Sequence, residues 1–198
     1  MIKAVIFDLG SVIIYPDWNK INEESIKKTG VSVFKPKGFE HKYNELSKGL
    51  IKPEEYFELL IKVSGKKYQV KEFTRIYNGL YKKYTRIDER VLSLIEKLSN
   101  KFITVCLSDT NSLHYEIHLE RDTLRHFMHK FFSFSLGSLK RENSFLKVLK
   151  EIKLKPEDCL FIDDNEENVK VAESVGIKVI KFVSYEDLVE KLKEFKVI

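Results

Sequence analysis

The pattern of apolar and polar positions predicts alternating strands and helices over most of the chain. Short apolar runs without polar alternation are typical of strands buried on both faces of a parallel sheet. Such runs occur at 2–7, 102–107, 159–162 and 177–180, with a weaker one at 131–134. Apolar residues at helical spacing lie between or after these runs, at 88–98, 142–152, 165–175 and 184–195. We therefore expect an α/β fold built on a doubly wound, Rossmann-like parallel sheet.

One long stretch breaks this alternation. No strand-like run lies between the first strand and residue 88, and the apolar positions there predict helices at 18–28, 39–48, 53–63 and 70–84. An insert directly after the first strand lies above the carboxyl ends of a parallel sheet, where ligands bind in such folds. We expect a core domain of residues 1–15 and 86–198 and a small inserted α-helical cap domain of residues 16–85.

Composition and charge narrow the class of protein. Charged residues make up 33% and hydrophobic residues 43% of the chain, which indicates a well-solvated globular surface and excludes a membrane protein or a disordered tail. The net charge is +5 with basic and acidic residues interspersed, whereas a nucleic-acid site needs a concentrated basic patch. Asp8 interrupts the N-terminal apolar run too early for a signal peptide, and no run approaches the ~20 residues of a membrane helix. We expect a cytoplasmic protein without nucleic-acid or membrane partners, and both a monomer and a homodimer remain open.

Reactive side chains follow successive strands of the predicted sheet. They are Asp8 after the first strand, Ser108 and Asp109 after the second, Lys140 beyond the third, and Asp163 and Asp164 after the fourth. Because strand ends of a parallel sheet converge on one edge, these groups are expected to meet. A carboxylate can attack phosphorus, Mg²⁺ held by carboxylates neutralises the phosphoryl oxygens, and lysine and serine side chains hold the remaining oxygens. The set therefore predicts phosphoryl transfer with Mg²⁺ as the cofactor.

At these positions the chain resembles the haloacid dehalogenase-like superfamily of hydrolases, which are mostly Mg²⁺-dependent phosphatases. The four matching segments are Phe7-Asp8-Leu9-Gly10-Ser11-Val12, Leu107-Ser108-Asp109-Thr110-Asn111, Lys140, and Phe161-Ile162-Asp163-Asp164-Asn165-Glu166-Glu167-Asn168. Their order and spacing match, and a helical insert between the first two corresponds to the C1-type cap of the superfamily. Within it, the motif variants look most like bacterial sugar-phosphate phosphatases, including those acting on glucose 1-phosphate.

The resemblance implies a role for each of these residues. It makes Asp8 the nucleophile, which carries an aspartyl-phosphate intermediate, and a ligand of Mg²⁺. The main-chain carbonyl of Gly10 and the carboxylate of Asp164 complete the metal set, with Asp163 as a neighbour or a further ligand. Ser108, Asp109 and Lys140 lie at the substrate, with Ser108 and Lys140 binding the phosphoryl group. The implied substrate is a small phosphorylated metabolite such as a sugar phosphate.

Gly10 departs from the pattern of the superfamily. Most of its phosphatases carry a second aspartate two residues after the nucleophile, which protonates the leaving group, and here that position is Gly10. Loss of a general acid typically costs on the order of 10²–10⁴-fold in rate. The loss is smaller for a good leaving group, such as an anomeric, acyl or aryl phosphate, or where the cap supplies an acid from His41, Tyr43 or Glu45.

Asp109 is a second departure, because the superfamily usually has a neutral asparagine there. Four carboxylates, at Asp8, Asp109, Asp163 and Asp164, then carry −4 against +3 from Mg²⁺ and Lys140. The net −1 opposes an incoming phosphate. Three alternatives remain open: Asp109 turns away, it is protonated with a raised pKa, or phosphate binds poorly. Arg141, where proline commonly follows the lysine, is a milder departure that adds a candidate phosphate contact.

Other functions remain open beside a phosphatase. The first alternative is a catalytically impaired member that binds a ligand or partner, supported by Gly10 and Asp109. Carbon–halogen cleavage is disfavoured, because dehalogenases of this superfamily need no Mg²⁺ and lack the doubled Asp163-Asp164. A phosphorelay receiver is disfavoured as well, because its acidic pair follows the first strand and its lysine the last, the reverse of the order here.

Overall fold

A computed structural model describes all residues, 1–198, and contains two sheets and ten α-helices. The strands are β1 (Ala4–Phe7), β2 (Ile14–Pro16), β3 (Thr85–Ile87), β4 (Ile103–Ser108), β5 (His129–Phe132), β6 (Cys159–Asp163) and β7 (Lys178–Lys181). The helices are α1 (Trp18–Thr29), α2 (Glu40–Ser47), α3 (Pro53–Val63), α4 (Val70–Lys83), α5 (Glu89–Ser99), α6 (Ser112–Glu120), α7 (Ser133–Leu136), α8 (Ser144–Ile152), α9 (Glu166–Ser174) and α10 (Tyr185–Glu194). No helix is both long and apolar enough to span a lipid bilayer.

The main sheet is parallel throughout and has the order β5-β4-β1-β6-β7. Successive residues of β1 point to opposite faces, as the two-residue repeat of a strand requires. Val5 and Phe7 join a cluster that contains residues of α5 and α10. Ala4 and Ile6 join another that contains residues of α8 and α9. Helices therefore cover both faces, which confirms the predicted doubly wound α/β fold.

The segment between β2 and β3 consists of four helices, α1 to α4, which we call the helical insert (Trp18–Lys83). Its apolar residues form a separate cluster that also includes Leu113 and Ile117 of α6. Both chain connections to the insert run through a two-stranded antiparallel ribbon in which Pro16 pairs with Thr85. The insert is thus joined to the sheet region by this ribbon and by packing on α6.

The structure corrects three expectations from the pattern. The weak run at 131–134 is not a strand throughout, because β5 ends at Phe132 and helix α7 begins at Ser133. The region before residue 88 contains two short strands, β2 and β3. Helix α6 was not predicted. Its buried face combines two histidines with two apolar residues, so the apolar residues alone do not give a helical pattern; the four are Leu113, His114, Ile117 and His118.

Candidate active site

Lys140 lies at the centre of a buried group of charges. Its side chain is 2% exposed, and its Nζ lies 2.8 Å from Asp8 Oδ1 and 2.5 Å from Asp163 Oδ2. Burial lowers the pKa of Lys140, but the carboxylates of Asp8, Asp163 and Asp109 raise it by more, so the ammonium stays charged. Two buried carboxylates thus share one compensating cation, which is what their removal from water requires.

Asp8 is held at the carboxyl end of the central strand. Its backbone N–H donates to the carbonyl of Ile162 on β6 at 3.0 Å, which continues the ladder one residue past β1. Burial raises the pKa of Asp8 to about 6, with the charge of Lys140 opposing that rise. Oδ1 is buried, and its contact with Lys140 does not have hydrogen-bond angles. One oxygen of Asp8 therefore lacks a hydrogen-bond donor within the protein.

Asp163 and Asp164 at the end of β6 differ in their surroundings. Asp163 is fully buried, its Oδ1 accepts from the Asn165 backbone N–H at 2.7 Å, and its Oδ2 accepts from Asn168 Nδ2 at 3.0 Å and from Lys140. Asp164 is half-buried and lines the cleft, and desolvation followed by the charge of Asp163 raises its pKa. One oxygen each of Asp8, Asp163 and Asp164 lies within 4.8 Å of the others.

Ser108 and Asp109 reach the same edge from β4. Ser108 is buried at the end of the strand and lines the cleft. Both oxygens of Asp109 accept from the backbone N–H of Lys140, at 3.0 and 3.3 Å. Asp109 is itself exposed and faces the cleft, yet desolvation by the cleft walls raises the pKa of its carboxyl. The carboxyl of Asp109 thus anchors the loop that carries Lys140, and the three expectations for the effect of its charge on phosphate stay predictions.

Gly10 and Ser11 line the cleft next to Asp8. A Cβ on Gly10 would meet nothing closer than Asp8 Oδ2 at 3.9 Å, so the missing side chain leaves free space. Ser11 has a φ of 55°, in the left-handed region that non-glycine residues seldom adopt. Its backbone N–H donates to Ile14 at 2.8 Å, which holds this strained turn. Ser11 belongs to the first segment that resembles the superfamily, but the sequence analysis assigns it no role.

Of the three acids considered in the helical insert, Tyr43 alone lines a cavity near the cleft. Glu45 is ion-paired with Lys42 at 2.7 Å, and exposed His41 stacks on Phe39 with ring centroids 6.3 Å apart. Sequence reasoning also missed Asn168, which donates to Asp163. Its spacing of three residues from Asn165, the N-cap of α9, was the available signal.

The cleft bounded by these residues has a volume of about 240 Å³. None of the eleven residues around it is hydrophobic. Asp8, Gly10, Ser108, Asp109, Lys140 and Asp164 all line it, whereas Asp163 lies behind Lys140. The carboxyl edge of the sheet therefore gathers the predicted residues in one polar cleft, with Asp163 as the buried partner of the lysine.

Comparison with known proteins gives a family match. A family model described as a haloacid dehalogenase-like hydrolase matches residues 2–176. The D-ribitol-5-phosphate phosphatase of Bacteroides thetaiotaomicron is 25% identical over 195 residues, which cover 91% of this chain and 92% of that protein. The enolase-phosphatase E1 of Persephonella marina is 39% identical over 70 residues. This match spans only 35% of this chain and 31% of that protein.

Solved structures agree over nearly the whole chain. A haloacid dehalogenase family enzyme of Bacteroides thetaiotaomicron superposes with a TM-score of 0.80 at 25% identity, covering 96% of this chain and 98% of that one. A complex of that enzyme with magnesium and inorganic phosphate superposes with a TM-score of 0.76 at 25% identity, covering 95% and 99%.

Proposed function

Since this chain belongs to the haloacid dehalogenase-like hydrolase family, we propose that it hydrolyses the phosphate monoester of a small metabolite by way of a covalent intermediate on Asp8. The observation that carries the proposal is the ammonium of Lys140, buried between Asp8 and Asp163 at the wall of a wholly polar cleft. The names of its relatives support a phosphatase, including one that acts on a sugar-alcohol phosphate.

Each residue at the cleft has a chemical task in this proposal. A carboxylate oxygen of Asp8 attacks phosphorus, the bond from phosphorus to the leaving oxygen breaks, and that oxygen departs with the electron pair. Ser108 and Lys140 contact the phosphoryl oxygens as charge shifts onto them. Because Gly10 carries no acid, the leaving oxygen takes its proton from water. A second water then attacks the aspartyl phosphate, releasing inorganic phosphate and restoring Asp8.

The donor set at the cleft fits Mg²⁺. Mg²⁺ binds hard oxygen ligands, usually one or two protein carboxylates together with water and substrate phosphate. Asp8 and Asp164 provide such oxygens within 4.8 Å of each other, and Asp163 lies behind them. The carbonyl of Gly10 is the further ligand we assign. When bound, Mg²⁺ neutralises charge on the phosphoryl oxygens.

The helical insert acts as a cap in this proposal, with boundaries near residues 16 and 85. Arg141, next to the central lysine, donates to Asn44 Oδ1 of α2 at 3.1 Å. Lys48 and Glu142 form an ion pair between the same two segments. These contacts connect the insert to the loop of Lys140, so the cap position and the phosphate-binding loop are mechanically linked.

The test is hydrolysis of p-nitrophenyl phosphate, glucose 1-phosphate and D-ribitol 5-phosphate with Mg²⁺. We expect metal-dependent release of phosphate that chelation abolishes and that Asp8→Asn lowers by roughly 10⁴-fold or more. Asp122→Asn, on an exposed turn, is the matched control and retains activity. Activity that survives in Asp8→Asn would contradict the assignment of the nucleophile.

An impaired, ligand-binding member is the second candidate. Gly10 supplies no general acid, and the carboxyl of Asp109 adds negative charge inside the cleft. Saturable, Mg²⁺-dependent binding of inorganic phosphate without turnover of any of the three esters would favour this candidate over the phosphatase.

A further inference from the structure

The polar cleft continues into the helical insert through a narrow passage. This passage, of about 140 Å³, shares Gly10, Ser11, Ser108 and Asp109 with the cleft around Asp8. On its other side it adjoins an inner cavity of about 300 Å³, with which it shares Trp18, Tyr43 and His114. A phosphate held at Asp8 thus has two adjoining cavities on the side of the insert, where its leaving group can lie.

The inner cavity has the opposite chemistry to the cleft. Ten of its fourteen lining residues are hydrophobic, and Lys35 is the single lining residue with a charged side chain. The Nζ of Lys35 lies 5.7 Å from the ring centroid of Tyr43 and is therefore already paired with an aromatic face. Sugar hydroxyls need several hydrogen-bond partners, and few polar atoms of this lining are free to bind them, because Tyr77 and Asn111 are already hydrogen-bonded to His114.

Aromatic side chains make up the walls that a ligand would touch. Phe57 and Tyr77 pack with ring centroids 5.0 Å apart, and Tyr43 meets Tyr56 edge-on at 6.0 Å. Trp18 is 38% exposed at the entrance. Aromatic faces and edges of this kind favour a planar ring as their partner. The volume also fits, because an apolar cavity of ~150 Å³ already holds benzene.

His114 in the wall of the passage does not bring a charge into it. Its Nε2 lies 2.7 Å from Tyr77 Oη, its Nδ1 lies 3.3 Å from Asn111 Nδ2, and its ring stacks on Tyr81 at 4.1 Å. Burial, with a smaller contribution from His118, lowers the pKa of His114 to about 3. The ring is therefore neutral and supplies no acid for the leaving group.

One buried polar atom of the inner cavity has no partner. Tyr56 is 3% exposed, lines the cavity, and its hydroxyl oxygen makes no hydrogen bond. Leaving a buried hydroxyl unpaired is unfavourable, so an acceptor on a ligand at this place is stabilised. Burial also raises the pKa of Tyr56 to about 12, which keeps the hydroxyl protonated as a donor.

We infer that the substrate is the phosphate monoester of a phenol, whose ring system extends through the passage into the inner cavity and whose polar ring substituent accepts a hydrogen bond from Tyr56. The inference rests on the proposed phosphatase function and names its substrate class. It also accounts for Gly10. A phenol leaves as an anion whose conjugate acid has a pKa of about 10, whereas an aliphatic alkoxide is nearer to water at about 16, so a phenolic ester needs no general acid.

The first test measures binding without turnover. Trp18 is the only tryptophan, so its fluorescence reports a ring at the entrance of the inner cavity. We expect saturable quenching by 4-nitrophenol in the wild type and in Asp8→Asn, and binding weakened about tenfold or more by Leu60→Phe, which fills the cavity. Leu59→Phe, on the same helix but outside the lining, is the matched control and changes binding by less than about twofold.

Leu46→Phe, also in the lining, replaces Leu60→Phe if that variant does not fold. Unsaturable quenching, or quenching unchanged in the filled variant, would overturn the inference even if the phosphatase proposal holds.

The second test separates the substrate class from the phosphatase function. We expect 2-naphthyl phosphate to have at least a tenfold higher kcat/KM than glucose 1-phosphate. Leu60→Phe lowers kcat/KM for 2-naphthyl phosphate relative to that for acetyl phosphate, which has no ring. A terminal carbonyl group on an aryl phosphate with one or two rings is an acceptor for the Tyr56 hydroxyl. We expect Tyr56→Phe to lower kcat/KM about three- to tenfold for such esters and to leave kcat/KM unchanged for aryl phosphates without the carbonyl group.

Acetyl phosphate turnover with no aryl preference would overturn the substrate class and leave the phosphatase standing. No Mg²⁺-dependent turnover of any ester would overturn the phosphatase itself.

Discussion

At the scale of single residues, the balance of charges around Lys140 determines how strongly the cleft attracts or repels a phosphate. The ammonium offsets Asp8 and Asp163, which are both buried, while Asp109 is tied to the backbone of the same lysine and faces the cleft. A carboxylate ~5 Å from a phosphate oxygen repels one unit charge there by roughly 3 kcal/mol at an effective dielectric constant of ~20. Because Asp109 is exposed, solvent screens part of this repulsion.

Asp109→Asn tests this repulsion. The amide oxygen still accepts from the Lys140 N–H, so the loop keeps its anchor while the negative charge is removed. We expect inorganic phosphate to bind about tenfold more tightly, a difference of ~1.4 kcal/mol, in competitive inhibition or calorimetry with Mg²⁺. The gain should shrink at high salt. Unchanged affinity at low salt would mean that Asp109 does not oppose phosphate binding.

Gly10→Asp tests the missing acid. There is room for a side chain, since a Cβ at this position would lie 3.9 Å from its nearest neighbour, Asp8 Oδ2. We expect kcat for an alkyl phosphate such as glycerol 1-phosphate to rise by about 10²-fold and kcat for p-nitrophenyl phosphate to change little, because only the poor leaving group needs protonation. Gly10→Ala controls for the added Cβ. Equal effects on both esters would show that position 10 does not act on the leaving group.

At the scale of elements, strand register explains why the charges meet. Phe7 pairs with Ile162, so the next residues, Asp8 and Asp163, are neighbours at the ends of adjacent strands. The central position of β1 between β4 and β6 also brings Ser108 to the same edge. The loop between α7 and α8 then places Lys140 across this edge, held by the Asp109 carboxyl. Parallel pairing therefore assembles the site from distant segments.

The turn that follows α2 lies close to the backbone of α7 at Gly49. Its φ is +69°, and a Cβ there would lie 2.4 Å from the Phe134 carbonyl oxygen. We expect Gly49→Ala to lower the free energy of unfolding by more than about 2 kcal/mol, combining left-handed strain with a steric clash. The measurement is urea denaturation followed by circular dichroism.

Substitutions at two other glycines serve as controls that separate backbone strain from the steric clash in Gly49→Ala. Gly65 has a φ of +67° and open space around it, so Gly65→Ala should cost about 1 kcal/mol from backbone strain alone. Gly79 lies inside α4 with open space, so Gly79→Ala should stabilise the protein by about 0.5–1 kcal/mol. If Gly49→Ala costs no more than Gly65→Ala, the contact with Phe134 does not constrain the turn.

At the scale of the whole molecule, a pair of buried histidines joins the insert to the sheet region. His114 and His118 of α6 contact Tyr77 and Tyr81 of α4 through hydrogen bonds of 2.7 and 3.2 Å. The two histidines are four residues apart on α6, and the two tyrosines are four residues apart on α4. The two hydrogen bonds therefore lie one helical turn apart along facing helices. Burial lowers the pKa of His114 to about 3 and that of His118 to about 4.

These pKa values predict that acid weakens the fold. Below pH 6.5 the unfolded chain protonates both histidines, while the folded chain does so only near pH 4 and below, so the unfolded state binds more protons. Each histidine should therefore reduce the free energy of unfolding by up to about 1.4 kcal/mol per pH unit below pH 6.5. We expect His114→Phe, which keeps a ring stacked on Tyr81, to show about half of this pH dependence.

The measurement is urea denaturation of both proteins at pH 7.5, 6.5 and 5.5. Comparison of the two cancels contributions common to both, including that of Asp8. Parallel pH dependences for the wild type and His114→Phe would contradict burial of a neutral histidine.

The sequence predicts best those segments that combine a clear hydrophobic pattern with local residues that mark where the element begins or ends. Strands β1, β4 and β6 and helix α3 lie within two residues of the predicted bounds, because their buried runs and the proline at the start of α3 are local signals. Asp8, Ser108 and Asp163 were placed at strand ends for the same reason. Their meeting at one edge follows from parallel topology, which the alternation of strands and helices already implied.

Only the tertiary structure decided the features that depend on distant contacts. Strand β5 ends at Phe132 because the chain turns at Ser133, whose hydroxyl bonds to both backbone groups of Thr110 at 2.9 and 3.0 Å. The anchor from Asp109 to Lys140 spans 31 positions, and the contact between Tyr77 and His114 spans 37. Periodicity reports which residues are buried together on one element. It carries no information about which element lies opposite, and so the aromatic inner cavity and the role of Asp109 emerged only from the folded chain.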